Sequence, residues 1–121
     1  MPRRELFVFH VQLFVGRERV PGRREEALHH VRAFEVPEGE DEAFLEGWER
    51  AREFLSRQEG YLSTRLHRSL TPTADFRYVN VALWQSAQLF QAATSQPEFR
   101  DAAVPFRFHV SLYQVVRDDE R

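Results

Sequence analysis

The stretch that decides the fold runs from Phe76 to Trp84 and reads Phe-Arg-Tyr-Val-Asn-Val-Ala-Leu-Trp. β-Branched and aromatic residues dominate it, and side chains along a strand alternate between the two faces of a sheet. One face then carries Phe76, Tyr78, Asn80, Ala82 and Trp84. The other face carries Arg77 and three aliphatic residues, Val79, Val81 and Leu83. The stretch therefore predicts a strand with two largely apolar faces.

A helix is predicted ahead of this strand, from Glu40 to Glu59. Its apolar residues are spaced by four, three and four, which places them on one stripe: Phe44, Trp48, Ala51 and Leu55. The acidic residues at 40–42 favour a helix start, because they complement the positive end of the helix dipole. Gly60 suits the position just past the end of the helix.

Three further strands are predicted where β-forming residues lie between turn signals. They cover Ala27–Val36, Tyr61–Leu70 and Phe106–Val116, with a turn at residues 71–75. Ser86 is a suitable N-cap for a second helix that runs to about Ala93. The capping-box pattern of residues 95–98, with proline at a tolerated early position, predicts a short helical turn there.

The order of these elements is β-α-β-β-α-β from residue 27 onward, preceded by a separate strand at Leu6–Val15 in an N-terminal arm, residues 1–26. This order predicts an α+β, ferredoxin-like antiparallel sheet with both helices on one face. The domain is expected to span residues 27–117 and to be followed by a charged tail at 118–121. The helix-free face would carry Val79, Val81 and Leu83, which favours association with a second copy as a homodimer.

Composition excludes several classes of protein. The chain has 121 residues, which fits one domain, and a net charge of −2, which argues against nucleic-acid binding. It has no cysteine, so thiolate catalysis and cysteine-ligated metal sites are excluded, and its basic residues are all arginine, which excludes a lysine Schiff base. The apolar run Leu6–Val15 is too short to span a bilayer. We therefore expect a protein without a membrane segment, in the cytoplasm by default.

Four pieces of sequence, in this order and spacing, resemble the antibiotic-biosynthesis-monooxygenase family. They are Phe34–Gly39 before the first helix, Gly60–His67 after it, Tyr78–Ser86, and the closing Tyr113. The resemblance covers Val31 to Val116. It implies a dimeric α+β barrel, and an enzyme that oxidises a phenolic or anthrone-like aromatic with molecular oxygen, without metal, flavin or other cofactor.

The resemblance also implies the site. In quinone-forming members, an Asn and a Trp at the spacing of Asn80 and Trp84 line the substrate pocket, where their N–H groups are able to hold a substrate oxygen. The position of a family Tyr is taken here by Phe90, and Tyr78 is a candidate replacement for the missing hydroxyl. Haem-degrading members have an iron-ligating His about ten residues after the Trp, and residues 92–94 contain none. We therefore expect no ligated haem.

The remaining candidates each have a structural alternative. Arg100 is a possible anion contact or a surface residue, and His109 is an acid–base candidate or a core histidine. His67 is a substrate contact or a solvated strand end. His29 and His30 resemble a metal site, but neighbours in a strand point to opposite faces, so no metal is expected there. The alternative function is a non-catalytic dimer that binds a small apolar ligand or acts in stress response.

Overall fold

A computed structural model describes residues 27–102 and 104–121, so the predicted strand at 6–15 lies outside the described residues. The strands are β1 (Leu28–Phe34), β2 (Tyr61–Arg68), β3 (Tyr78–Trp84) and β4 (Phe108–Tyr113). The helices are α1 (Asp41–Leu55), α2 (Ala87–Thr94) and α3 (Pro97–Ala102). No helix within the described residues is long and apolar enough to cross a membrane.

The four strands form one antiparallel sheet in the order β2-β3-β1-β4. This is the ferredoxin-like arrangement that the element order predicts. β1 and β3 are the central strands, and His30 of β1 lies opposite Ala82 of β3, while Arg32 lies opposite Asn80. The register therefore brings the middle of β1 and the middle of β3 to the same part of the sheet.

The alternation predicted for β3 is confirmed for four of its five inner residues. Tyr78, Asn80, Ala82 and Trp84 are all buried, with exposed fractions of 2, 8, 4 and 0%. They pack under the helices, because Trp84 contacts the α2 residue Phe90, and Tyr78 stacks on Phe44 of α1. Phe76 departs from the prediction: it precedes the strand, and its ring meets the ring of His109 at 5.1 Å.

The predicted stripe of α1 faces the sheet, with Phe44 and Ala51 buried and Trp48 and Leu55 partly buried. The helix ends earlier than predicted, with Ser56 rather than Gly60 as its C-cap. The end is closed by local bonds to helix carbonyls, since the Ser56 amide donates to the Arg52 carbonyl. The Gln58 side chain donates to the carbonyl of Phe54, and these bonds remove the need for a glycine cap.

The start of α2 is as predicted, because the Ser86 hydroxyl accepts a hydrogen bond from the Leu89 amide at 3.2 Å. α3 begins at Pro97, the tolerated first position. The predicted capping box is absent, since the Ser95 hydroxyl instead donates to the Gln91 carbonyl at 2.6 Å, at the end of α2. The hydroxyl therefore caps the preceding helix rather than starting the next one.

Gly60 and Gly39 form a matched pair for a stability test, because both have positive φ, +95° and +88°. A Cβ at Gly60 would lie 2.6 Å from Leu89 Cβ, whereas a Cβ at Gly39 would meet nothing within 4 Å. Gly39→Ala is expected to cost on the order of 1 kcal/mol of unfolding free energy for its backbone alone. Gly60→Ala should cost clearly more, since α2 must also move. Urea denaturation of both variants measures this, and equal losses would contradict the predicted clash.

Candidate functional site

A small cavity lies between the inner face of the sheet and the helices. Its volume is about 40 Å³, enough for one or a few waters. Residues of both the sheet and the helices line it. Its polar side chains come mainly from β1, α1, β2 and β3: His30, Arg32, Trp48, Thr64, Asn80 and Trp84. Among the described residues that line it, none is acidic.

Asn80 lies on the floor of this cavity, in the middle of β3. Its Oδ1 accepts two hydrogen bonds, from Trp48 Nε1 at 3.0 Å and from Thr64 Oγ1 at 2.9 Å. An indole N–H is only a donor, so the amide oxygen must face Trp48. This fixes the amide orientation and leaves the Asn80 NH2 as the group able to donate to a ligand.

Trp84 is fully buried and has two roles, in the core and at the cavity. Its ring packs edge-on against Tyr61 at 5.5 Å and Phe90 at 5.5 Å, so it anchors the core. It also lines the cavity, and its Nε1 has no hydrogen-bond partner within the described part of the chain. Buried donors are nearly always paired in proteins, so this N–H is available to a ligand or a water in the cavity.

His30 is the second group of this kind, and it lies on the same inner face. It is 3% exposed, and neither Nδ1 nor Nε2 has a hydrogen-bond partner in residues 27–102 and 104–121. Its ring lies 4.4 Å from the ring of Phe90. Burial, and then the positive charge of Arg32, hold the pKa of His30 well below its usual value near 6.5. The imidazole is therefore neutral at neutral pH.

The charge at the cavity is positive, because Arg32 and Arg52 line it together with neutral groups. The Arg32 guanidinium also lies over the ring of Phe108, 4.4 Å from its centre. Arg52 is paired with Glu49 on the outer side of α1 at 2.6 Å. Such surroundings favour a ligand that carries or develops negative charge.

Two residues predicted on the pocket wall lie beside the cavity. The Tyr78 hydroxyl donates to Asp41 Oδ2 at 2.5 Å, which ties β3 to the start of α1. This bond, and then the bond from Arg77, lower the pKa of Asp41. Phe90 packs behind His30 and Trp84 and is not a lining residue. Tyr61 supplies the tyrosine hydroxyl at the cavity, and burial raises its pKa, so it stays protonated.

The structure does not bring Arg100, His109 or His67 to the cavity. Arg100 is exposed on α3. His109 points to the helix-free face, where its Nε2 lies 3.8 Å from the carboxylate of Glu35, and His67 is exposed with its Nδ1 3.2 Å from the Val79 carbonyl oxygen. Arg100 and His67 therefore fit their structural alternatives, whereas His109 is an exposed residue rather than the expected core histidine. We leave all three out of the proposed site.

The adjacent histidines lie on opposite faces of β1, as the strand geometry predicts. His30 is inside, while His29 faces the side of Leu83 and Tyr113. In the part of the chain that the structure describes, no three His, Cys, Asp or Glu side chains come close enough to hold a metal ion.

Sequence reasoning missed several lining residues, of which His30 and Thr64 are the most informative. A signal for His30 was present, because the period of two in β1 places it on the same face as the core residues Leu28 and Phe34. We considered it only as half of a metal pair. Thr64 had no such signal, because its contact with Asn80 depends on the pairing of β2 with β3.

Comparisons with solved structures support a monooxygenase-type function. The chain is 36% identical to a proposed monooxygenase from Shewanella loihica, with a TM-score of 0.69 over 76% of this chain and 96% of that one. It is 26% identical to SnoaB, a cofactor-independent oxygenase from Streptomyces nogalater, with a TM-score of 0.66 over 77% and 96%. It is also 26% identical to the heme-degrader MhuD from Mycobacterium tuberculosis, with a TM-score of 0.60 over 77% and 99%.

The sequence comparison identifies the family directly. No protein of curated function matches significantly. A sequence model described as antibiotic biosynthesis monooxygenase, however, matches residues 27–104, which is most of the described chain and includes every lining residue of the cavity. Because the family model matches most of the chain and the fold is shared with solved structures such as SnoaB, the chain belongs to the antibiotic biosynthesis monooxygenase family.

Proposed function

We propose that the protein is a cofactor-independent monooxygenase that oxidises a phenolic or anthrone-like aromatic with molecular oxygen. The observation that carries the proposal is the pair of donors on β3. The Asn80 amide is oriented by Trp48 and Thr64, and the Trp84 N–H lacks a partner among the described residues of the same cavity. Two preorganised donors in a positive cavity suit an oxygen on which negative charge builds up.

The chemistry requires little beyond this arrangement. A phenol or anthrone that has lost a proton is electron-rich enough to react with oxygen itself, so the protein has to bind it, exclude water and stabilise the anion. Asn80 and Trp84 would hold the substrate oxygen, while Arg32 and Arg52 supply positive charge near it. The aromatic walls, among them Phe34 and Phe99, suit a flat ring.

The cavity must widen when such a substrate binds. Its volume of about 40 Å³ is far below the roughly 300 Å³ at which ligand pockets usually begin. The wall opposite the sheet is formed by α1 and by Phe99 of the short helix α3. Side-chain rearrangement on ligand binding is common in proteins. We expect it at α3, because this helix is the smallest element of the wall.

Oxygen consumption tests the proposal. The purified protein should consume oxygen with a panel of phenols, hydroquinones and anthrones, in the presence of a metal chelator and without flavin or nicotinamide. The product of the active substrate should carry one additional oxygen atom when the assay uses ¹⁸O₂. If no substrate in the panel supports oxygen consumption, although aromatic compounds bind at the cavity, the alternative of a non-catalytic binding protein gains support.

We also infer that the chain forms a homodimer through the helix-free face of the sheet. Val79, Val81 and Leu83 of β3 lie on this face, and Ala33 and Val31 of β1 lie directly opposite Val79 and Val81. The helices of the described chain pack on the other side, against the buried residues of β3. An apolar sheet face that no helix of the described residues covers is well buried against its own copy, as in an isologous interface.

Haem is not expected to bind as a ligated cofactor, although one structural relative is a heme-degrader. Ten residues after Trp84 stands Thr94, whose hydroxyl donates to the Phe90 carbonyl at 3.1 Å, so this position offers no iron ligand. Titration with haemin should give only weak, unsaturated spectral changes. A sharp, shifted Soret band at one haem per chain that His30→Gln abolishes and His29→Gln retains would contradict this prediction.

A further inference from the structure

His30 is the cavity residue to which the proposed function has so far given no task. Both of its ring nitrogens lack a hydrogen-bond partner among the described residues, and the side chain is 3% exposed. Leaving buried polar atoms unpaired costs stability, and native proteins rarely do so. An imidazole at this position therefore fits a ligand better than it fits the core.

The register of the sheet puts His30 between the two donors of β3. His30 lies opposite Ala82, so Asn80 and Trp84 are its diagonal neighbours on the same face of the sheet. Diagonal neighbours in antiparallel strands are about 7–8 Å apart, which side chains of this length can bridge through one ligand atom. Ala82 is the smallest residue on this face of β3, so it leaves space for that atom.

Among the described residues that line the cavity with His30, the other charged and titratable groups are two arginines and a tyrosine. Arg32 comes from the same strand, Arg52 from α1 and Tyr61 from β2, while Phe90 of α2 packs on the ring. Burial and the charge of Arg32 lower the pKa of His30, so the ring is neutral and has a free lone pair at neutral pH. The neutral imidazole has a lone pair for the proton, and the positive charge nearby stabilises the anion that the ligand becomes.

We propose that His30 is the catalytic acid–base of the reaction, and that it takes the hydroxyl proton of a phenol whose oxygen lies between His30, Asn80 and Trp84. This assignment rests on the proposed function, because it concerns the same cavity. The Asn80 NH2 and the Trp84 N–H hold the oxygen that is left negative, and the arginines offset its charge.

The protons and electrons balance with His30 as the only base and molecular oxygen as the oxidant. The phenolate gives its electrons to oxygen, and a bond forms between one oxygen atom and a ring carbon that bears hydrogen. The peroxide anion takes the proton from His30. His30 then removes the hydrogen from that ring carbon, the O–O bond breaks, and hydroxide leaves with the proton of His30 as water. Phenol and oxygen thus yield a quinone and one water.

The surroundings of His30 also restrict the substrate class. Because burial and the charge of Arg32 disfavour a charged imidazole, transfer from a hydroxyl as weakly acidic as that of tyrosine, with a pKa near 10, is uphill. A phenol whose anion is delocalised onto a conjugated carbonyl is more acidic and removes much of this barrier. His30 therefore selects carbonyl-conjugated phenols over simple ones.

The activity test compares His30→Gln with His29→Gln, in which the neighbouring imidazole on the other face of β1 is replaced. With the best substrate of the oxygen panel, His30→Gln should lower kcat about a hundredfold or more, as expected for loss of a general base. It should also remove the fall in rate at low pH, which arises when His30 becomes protonated. His29→Gln should keep both the rate and the pH profile. Equal effects of the two variants, or an unchanged pH profile in His30→Gln, would overturn the assignment.

A binding test separates this proposal from the proposed function. The probe is 4-nitrophenol, whose neutral and anionic forms absorb at different wavelengths, at a pH where the free probe is protonated. Wild type should bind it as the anion, and His30→Gln should bind it in the neutral form. If wild type ionises the probe through His30 but oxidises no substrate, the proton-acceptor role stands and the oxygenase proposal fails. The same ionisation in both proteins would overturn the role of His30.

A further variant excludes a purely structural role and guards against misfolding of His30→Gln. His30→Leu replaces the unpaired nitrogens with apolar atoms of similar size, so its melting temperature should equal or exceed that of wild type while activity is lost. Functional residues are often retained at such a cost in stability. A marked fall in melting temperature with full ionisation of 4-nitrophenol would instead show that His30 serves the core.

Discussion

Asn80→Ala is expected to lower the rate of oxygen consumption at least a hundredfold while the protein stays folded. The Asn80 NH2 is the oriented donor of the proposed site, and losing one such donor typically costs about 2.7–4 kcal/mol of transition-state stabilisation. The measurement is the steady-state rate with the best phenolic or anthrone-like substrate, together with a thermal melt. Trp84→Phe should have a smaller effect, because it keeps the aromatic wall and removes only the N–H.

Asn80→Asp separates the donor role from a structural one. A carboxylate at position 80 still accepts the hydrogen bonds that Trp48 Nε1 and Thr64 Oγ1 now donate, but it replaces the NH2 with a negative charge. It should therefore be at least as inactive as the alanine variant. Thr64→Val is the matched control, since it removes one of the two orienting bonds and leaves the NH2 in place. Turnover at the wild-type rate in Asn80→Ala would mean that the site lies elsewhere in the protein.

Val81→Asp is expected to convert the proposed homodimer to a folded monomer. Val81 lies at the centre of the helix-free face, between Val31 of β1 and Arg65 of β2. Within one chain the new carboxylate is able to pair with Arg65, which preserves the fold, whereas at the dimer interface two negative charges would be buried close together. Light scattering at micromolar concentration should show a mass near 14.4 kDa, against twice this value for wild type.

Leu45→Asp is the control for this prediction, because it puts the same charge on a helix residue that is already 40% exposed. It should remain a dimer with nearly unchanged stability. Wild-type protein that has only monomer mass at micromolar concentration would contradict the inferred interface. So would a Val81→Asp variant that remains fully dimeric.

Much of the fold could be predicted because the relevant signals are local. The alternation of Tyr78, Asn80, Ala82 and Trp84 decides the inner face of β3, and burial of all four follows from it. The helix boundaries were predicted less accurately. The backbone amide of Ser56 and the side chain of Gln58 bond to helix carbonyls and end α1 before Gly60, where the sequence pattern placed the end. Ser95 likewise bonds backward to Gln91, which no capping pattern indicates.

The sequence by itself determined the ferredoxin-like order of elements, the shared face of Asn80 and Trp84, and the opposite directions of His29 and His30. Each of these follows from the period of a single strand or helix. Only the tertiary structure decided which groups meet in the cavity. His30 comes beside the β3 donors through the register of β1 on β3, and Tyr78 turns to Asp41 because α1 begins beside it. Such contacts depend on pairing between distant segments, so no local pattern contains them.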